Sequence, residues 1–331
     1  MNIFVVIVTY NGSKWLNRCL SSLFESNVGV QVIVVDNKST DDSLKIVSQF
    51  PEVRTFLSKE NLGFGKANNS GIQYALDQGA DYVILLNQDA WVRPDTIGHL
   101  LEASLNHPEY CVLSALHLEG SETKLDLNFQ HYISPENCGQ LVSDLAVDCT
   151  KLKDVYEIRF VNAALWLLPV HGLLDIGGFD PLFPHYGEDN DFIKRVQYHG
   201  YKAGICPGAF VVHDRPQRND FSEAAKYHRS QKKLETNALI KLKNINASLS
   251  SIALRIYPAM FKDILVSACR MQFSDVLKHI RVVWNTTAKL NQVIKHRSIS
   301  EKRGASAAWL RNSHPINAVQ LLDYSIPREL H

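Results

Sequence analysis

Residues 3–24 read IFVVIVTYNGSKWLNRCLSSLF. A continuous apolar, β-branched run from Ile3 to Thr9 gives way to the turn residues Tyr10, Asn11, Gly12 and Ser13. Trp15, Leu16, Cys19, Leu20, Leu23 and Phe24 then recur at helical spacing. A strand that does not alternate apolar with polar residues is buried on both faces, so the stretch predicts a β-turn-α unit feeding a parallel sheet.

The same unit repeats outward from there. Val30 to Val35 reads as a strand, residues 36–41 (DNKSTD) as its loop, and Asp42 to Phe50 as a helix with Leu44, Val47 and Phe50 on one face. Val53 to Leu57 predicts a third strand, Gly65 to Gln78 a helix, and Asp81 to Leu86 a fourth strand. This alternation calls for a mainly parallel α/β sheet with helices on both faces, and such sheets bind ligands at the carboxyl ends of their strands. Those ends carry Thr9-Tyr10-Asn11, Asp36-Asn37 and Asn87-Gln88-Asp89, so three loops bring polar groups to one edge.

Farther along, residues 121–156 are polar and weakly patterned, readable as a loop-rich insertion or an irregular strand pair, with no assignable chemistry. Residues 160–169 are apolar again, and Gly177-Gly178-Phe179-Asp180 punctuates the approach to Glu188-Asp189-Asn190-Asp191. Beyond about Arg215 the pattern becomes helices with basic faces. Ile252, Ile256, Met260, Ile264 and Ala268 form one row and Ala253, Tyr257, Phe261 and Leu265 its neighbour, with Pro258 expected to kink or interrupt the helix. The expected division is a nucleotide-site domain over residues 1–215 and a basic helical region over residues 216–331.

With 331 residues and 45% hydrophobic content, the chain can bury one large core or two. It opens without a basic leader and holds no run of about 18 apolar residues, so neither export by that route nor a membrane span is expected. The six cysteines show no zinc or CxxC spacing, which fits reduced thiols and a cytoplasmic setting. The net charge of +1 conceals a split: residues 226–331 hold 18 Lys and Arg against 6 Asp and Glu. The acidic front suits a metal-bound nucleotide. The basic rear suits an anionic lipid surface, with nucleic acid the poorer match, and its apolar stripes can equally pack on the front domain or pair two copies of the chain.

Several residues carry candidate chemistry beside a plainer reading. Asp36 can accept hydrogen bonds from a nucleobase or ribose, or close an Asx turn. Residues 61–69 (NLGFGKANN) offer a diphosphate cradle with one lysine, although a glycine-rich turn is weak by itself. Asp89 can ligate Mg²⁺ or Mn²⁺, which need only one or two protein carboxylates when phosphates complete the shell, or it can cap a turn. Glu188, Asp189 and Asp191 repel one another, raising the proton affinity of at least one as a general base needs, or they simply favour a helix N-terminus. His213 ends an apolar strand and can serve as a neutral imidazole ligand.

Taken in order, VIVTYNG (6–12), VIVVDNKSTDDS (32–43), NLGFGKANNSGI (61–72), LLNQDA (85–90), GGFDPLF (177–183), GEDNDFIKRVQYHGYKAG (187–204) and VVHD (211–214) resemble the inverting family 2 glycosyltransferases, bacterial rhamnosyltransferases of polysaccharide and O-antigen assembly in particular. The resemblance covers roughly residues 3–215 and implies a GT-A fold. It implies that Asp36 reads the base, that Asn61, Gly63, Gly65, Lys66 and Asn68 lie against the nucleotide, and that Thr9, Tyr10, Asn11, Asn87 and Gln88 face the donor. It further implies Asp89 and His213 at the metal, Asp189 as base beside Glu188 and Asp191, and Arg195 against the leaving diphosphate. The implied partners are dTDP-rhamnose and a glycan or polyprenyl-linked acceptor, met in the cytoplasm or on the inner face of the membrane. Two rival readings remain: a nucleotidyltransferase, against which stands the missing G-x-G-x-R loop, and a non-catalytic nucleotide-sugar scaffold, suggested by Asn87 where a second carboxylate would help.

Overall fold

The computed structural model describes residues 1–215, 222–311 and 319–321. The first strands and helices fall where the pattern placed them, within a residue or two except that α2 ends three residues early: β1 (Ile3–Thr9), α1 (Leu16–Phe24), β2 (Gln31–Asp36), α2 (Ser43–Val47), β3 (Arg54–Ser58), α3 (Gly63–Asp77) and β4 (Tyr82–Asn87). They are followed by β5 (Ala90–Val92), α4 (Thr96–Asn106) and β6 (Tyr110–Leu118). In β1 successive side chains enter opposite cores, Phe4 and Val6 on one face, Ile3, Val5 and Ile7 on the other. That two-sided burial is why the strand shows no alternation.

Residues 121–156 differ from expectation. They form three short helices, α5 (Leu127–Tyr132), α6 (Pro135–Cys138) and α7 (Leu141–Val147), before the two-residue β7 (Tyr156–Glu157). Asp126 caps α5 by accepting from the Phe129 amide at 2.8 Å, and Pro135 opens α6. Helices of one or two turns are too short for a hydrophobic period to register. Next come β8 (Leu165–Pro169), α8 (Val170–Ile176), α9 (Glu188–Tyr198) and β9 (Lys202–His213).

The rear comprises α10 (Glu223–Lys243), α11 (Leu249–Cys269), α12 (Phe273–Ala288), α13 (Leu290–Ser300) and α14 (Ala308–Arg311), with β10 (Val319–Leu321) after them. Pro258 does not interrupt α11, which runs through it. The carbonyl that loses its partner belongs to Leu254, on the exposed side where water can satisfy it.

The strand order is β10-β3-β2-β1-β4-β8-β6-β9-β5, with β7 attached to β9. β3, β2, β1 and β4 run parallel, as do β6 and β9, while β8 is antiparallel to β4 and β6. The chain leaves β1 toward β2 on one side and returns through β4 on the other, which makes the β1–β4 boundary the topological switch point. In register, Thr9 pairs with Asp36 and Val8 with Asn87, so the three polar strand ends stand side by side.

The rear is fastened to the sheet domain by buried charge. Lys243 of α10, 1% exposed, reaches Asp191 at 3.0 Å and Asp180 at 3.1 Å, and donates to Ser300 Oγ at 2.7 Å. A small apolar cluster of Leu182, Phe183, Leu239, Leu242, Ile256 and Val293 adjoins it.

Candidate functional site

At the switch point one amide organises the loops. Gln88 Oε1 accepts from Thr9 Oγ1 at 2.7 Å and from the Tyr10 amide at 2.9 Å, while its Nε2 donates to the Tyr10 carbonyl at 3.3 Å. Asn11, with φ of +50°, accepts from the Thr40 amide at 2.8 Å and gives its own amide to Ser39 Oγ at 3.0 Å. Thr9, Asn11 and Gln88 thus tie the ends of β1, β2 and β4 together, leaving the Tyr10 ring exposed at the edge.

Asp36 is buried at this edge. Its Oδ2 accepts from the Ser39 amide at 3.0 Å, which is the Asx turn, but Oδ1 has no partner. Asn37, beside it, accepts from the Leu62 amide at 3.1 Å and donates to the Gly63 carbonyl at 3.2 Å, fixing the glycine loop. Asn61 accepts from the Gly63 amide at 2.9 Å, and Asn68 donates to the Phe64 carbonyl at 3.0 Å. The glycines have steric duties: a Cβ on Gly63 (φ +78°) would sit 2.0 Å from the Pro184 carbonyl oxygen, and one on Gly65 would sit 3.0 Å from Phe179 Cβ. The loop therefore packs α3 against residues 179–185, and Lys66 stands partly exposed in the first turn of α3.

Antiparallel pairing of β5 with β9, Ala90 opposite His213, draws Asp89 to the far strand. Asp89 Oδ1 lies 3.3 Å from His213 Nε2, and the Asn87 amide nitrogen lies 3.4 Å from the same ring atom. His213 is buried and its Nδ1 has no partner. A second imidazole, His117, stands edge-on to it with ring centres 6.4 Å apart, stacked on Phe129 and within 3.0 Å of Ser114 Oγ. Burial, reinforced by His213 and Arg215, holds the His117 pKa well below the usual imidazole range, so that ring is neutral. Among the described residues no group of three or more His, Cys, Asp or Glu side chains is placed to hold a metal ion. Asp89 and His213 offer one carboxylate and one imidazole, a set that fits a divalent cation sharing its shell with phosphate oxygens.

Helix α9 begins after Gly187, whose φ of +96° suits glycine. Burial, then the neighbouring Asp189, pushes the Glu188 carboxyl up to about 8, and Glu188 Oε2 has no partner. Asp189 is only partly exposed, and its pKa is raised by burial against the lowering pull of the Asn190 amide and of Arg215. Repulsion within the cluster therefore counts, but desolvation counts for more.

Two members of the expected site are corrected by their surroundings. Arg195 is 1% exposed and donates to Asp191 at 2.8 Å, to the Ile176 carbonyl at 2.5 Å and to the Gly178 carbonyl at 2.8 Å. Its guanidinium is committed to the interior and cannot face a leaving diphosphate. Asp191, 3% exposed, is held between Arg195 and Lys243, and so belongs to the architecture and not to the base.

Among the described residues another cation near this edge is Arg215, two positions after His213 and absent from the sequence expectation. Its Nε donates to Asp126 at 2.9 Å, its buried Nη2 has no partner, and its charge acts on Asp189, His117 and Tyr132. Asp126 and Tyr132 both come from residues 121–156, a stretch with no chemistry assignable from its pattern. The edge therefore collects unpartnered buried polar atoms on Asp36, Glu188, His213 and Arg215, the condition expected where a polar ligand completes the hydrogen bonds.

The mixed sheet, the helices on its faces and the helices that follow it form a GT-A type of fold. Residues 4–150 match the glycosyl transferase family 2 model. It is 37% identical over 100 residues to dTDP-rhamnosyl transferase RfbF of Shigella flexneri, a match spanning 30% of this chain and a third (33%) of that protein. It is 27% identical over 249 residues to an N-acetylglucosaminyl-diphospho-decaprenol L-rhamnosyltransferase of Mycobacterium tuberculosis, covering 68% of this chain and 81% of the relative. Among solved structures, a mannosyltransferase of Pyrobaculum calidifontis in complex with GDP-Man and Mn²⁺ superposes with a TM-score of 0.53 at 16% identity, covering 94% of this chain and 85% of that one.

Proposed function

We propose that this protein is an inverting, cation-assisted glycosyltransferase that moves rhamnose from dTDP-rhamnose to a hydroxyl of a glycan carried on a polyprenyl diphosphate at the inner face of the cell membrane. The observations that support the reading are the Asp89–His213 pair, the unpartnered buried oxygen of Asp36 and the partly exposed Asp189 beside Arg215. The donor and acceptor are supported by the names of the two rhamnosyltransferase relatives. A divalent cation is supported by the donor set and by Mn²⁺ in the mannosyltransferase complex.

Asp189 removes the proton from the acceptor hydroxyl as that oxygen attacks the anomeric carbon. The carbon–oxygen bond to the diphosphate breaks on the opposite face, its electrons leave with the nucleoside diphosphate, and configuration inverts in one displacement. Its raised proton affinity makes Asp189 a stronger base once ionised. Glu188, protonated near neutrality, spares Asp189 a second negative neighbour. Arg215 takes the role the resemblance gave to Arg195, its buried Nη2 having no hydrogen-bond partner of its own. Asp36 accepts a hydrogen bond from the base or ribose, the Tyr10 ring lies against the base, and Lys66 is within the loop that meets the nucleotide. Bound Mg²⁺ or Mn²⁺, held by Asp89 and His213, supplies Lewis-acid neutralisation of the diphosphate.

Incubation with dTDP-rhamnose, a polyprenyl-diphosphate glycan and Mg²⁺ or Mn²⁺ tests the reading. Equal release of dTDP and rhamnosylated acceptor, with the anomeric configuration reversed, is expected. Release of pyrophosphate, or donor binding without turnover under all these conditions, contradicts it.

A further inference from the structure

The α11–α12 hairpin carries an outward face that the other described residues do not cover. On α11, Leu254, Pro258, Phe261, Leu265 and Ala268 follow one another at steps of four and three residues, and all are exposed. On α12, Phe273, Leu277, Ile280 and Trp284 repeat the same steps and are likewise exposed, Phe273 by 73% and Trp284 by 75%. Steps of four and three keep a row on one side of a helix. The opposite sides are spent inward: Ile252, Ile256 and Met260 join the cluster with Leu239 and Leu242 of α10, and Val282 and Thr286 are buried. The two helices pack on each other and both pack on α10, so their exposed rows lie together on the solvent side. Met271, 79% exposed, stands in the turn between them.

An uncovered apolar face of this extent marks a contact surface. Its border says with what. Exposed Arg255, Lys262, Arg270 and Arg281 flank the rows, while the acidic residues of the hairpin are Asp263 and Asp275, the second paired with Lys278 at 2.6 Å. Two copies pressed face to face would set these cations against each other, whereas an anionic bilayer attracts them. Aromatic and aliphatic residues on one face bordered by Lys and Arg are the composition of helices that lie in a lipid interface. No helix among the described residues is long and apolar enough to cross a membrane, so the contact is one of lying on it.

We infer that the outer face of α11–α12 docks the protein on anionic phospholipid, with Phe261, Leu265, Phe273 and Trp284 entering the interface and Arg255, Lys262, Arg270 and Arg281 meeting headgroups. This extends the proposed function and rests on it for its purpose, since a polyprenyl-linked acceptor is met at a bilayer. Its test needs no turnover, so the two can fail separately.

The experiment is co-flotation of the full chain with vesicles of phosphatidylcholine alone or mixed with phosphatidylglycerol. Binding to the mixed vesicles that weakens with added salt is expected, with little on neutral ones. Removing one flanking cation, as in Lys262→Gln or Arg281→Gln, should weaken binding by about fivefold. The quadruple variant with Ser at 261, 265, 273 and 284 should lose binding while its melting temperature and far-ultraviolet circular dichroism stay near wild type. Because that variant removes four apolar groups, Trp284 fluorescence gives an independent reading: bromolipid quenching present in wild type and lost in Trp284→Phe. Wild-type protein that stays with the aqueous phase on both vesicles overturns the inference. So does a dimer by light scattering that the quadruple variant turns into monomer with vesicle binding unchanged.

Discussion

Asp189 and Asp191 stand two residues apart at the start of α9 and meet opposite surroundings. Asp191 is closed in by Arg195 and Lys243, and the same lysine holds Asp180, so every charge in that cluster has a counter-charge. Asp189 lies beside Glu188 and Arg215, which, like His213 and Asp36, each keep a buried polar atom without a partner. The contrast separates two uses of buried charge in one helical turn. Paired charge fastens the rear helices to the sheet domain, and unpaired polar atoms await a ligand.

The strongest way to break the paired side is to remove its centre. Lys243→Met leaves Asp180 and Asp191 buried with less compensation, and the loss should be about 3–5 kcal/mol. Set against the roughly 5–15 kcal/mol of stability typical of folded proteins, this should appear in urea denaturation as a much lower midpoint or as failure to recover folded chain. Unchanged stability would mean that the rear helices are fastened by apolar packing alone. Asp89→Ala tests the other side and should weaken Mg²⁺ or Mn²⁺ binding by tenfold or more, read by calorimetry with the donor present, with little change in melting temperature. Full metal-dependent turnover in Asp89→Ala would remove the metal role from this strand end.

A smaller effect sharpens the comparison through pH. The Glu188 carboxyl is raised from the usual range to about 8, so between about 4.5 and 8 the folded state binds more protons than the unfolded one. Stability contributed by that group is therefore complete at the acid end and falls as pH rises through the window, by at most about 1.4 kcal/mol per pH unit. Glu188→Gln should flatten the dependence of chemical denaturation on pH across this range. An unaltered slope would mean that the carboxyl is not shielded from solvent.

Much of the front was legible in the sequence because its signals are local. An apolar run ending in polar residues marks a strand end, and a parallel sheet then delivers all such ends to one edge; Thr9, Asp36 and Asn87 needed nothing more. The meeting of Asp89 with His213 depends on β5 pairing with β9, a long-range contact that no window of sequence displays. Arg195 was misread from its place in a motif, although its spacing of four residues from Asp191 on one helix already favoured an ion pair. Arg215 was overlooked because the strand reading stopped at VVHD. Asp126 caps, and Tyr132 ends, a helix too short to announce itself. In the rear, the row of Ile252, Ile256 and Met260 does pack inward, but the 4-3 row of Leu254, Phe261 and Leu265 faces outward. Periodicity reports that a face is apolar and does not report what covers it.

The central claim, that Asp189 does the chemistry and Asp191 the fastening, is tested most directly by the transfer rate at saturating donor, measured in Asp189→Asn and Asp191→Asn beside their melting temperatures. The prediction is that Asp189→Asn loses about 10²–10⁴ in rate while it binds donor and melts at or above wild type, and that Asp191→Asn melts lower yet turns over whatever remains folded. Near-normal transfer by Asp189→Asn, or a rate loss in Asp191→Asn with unchanged melting, would contradict the account.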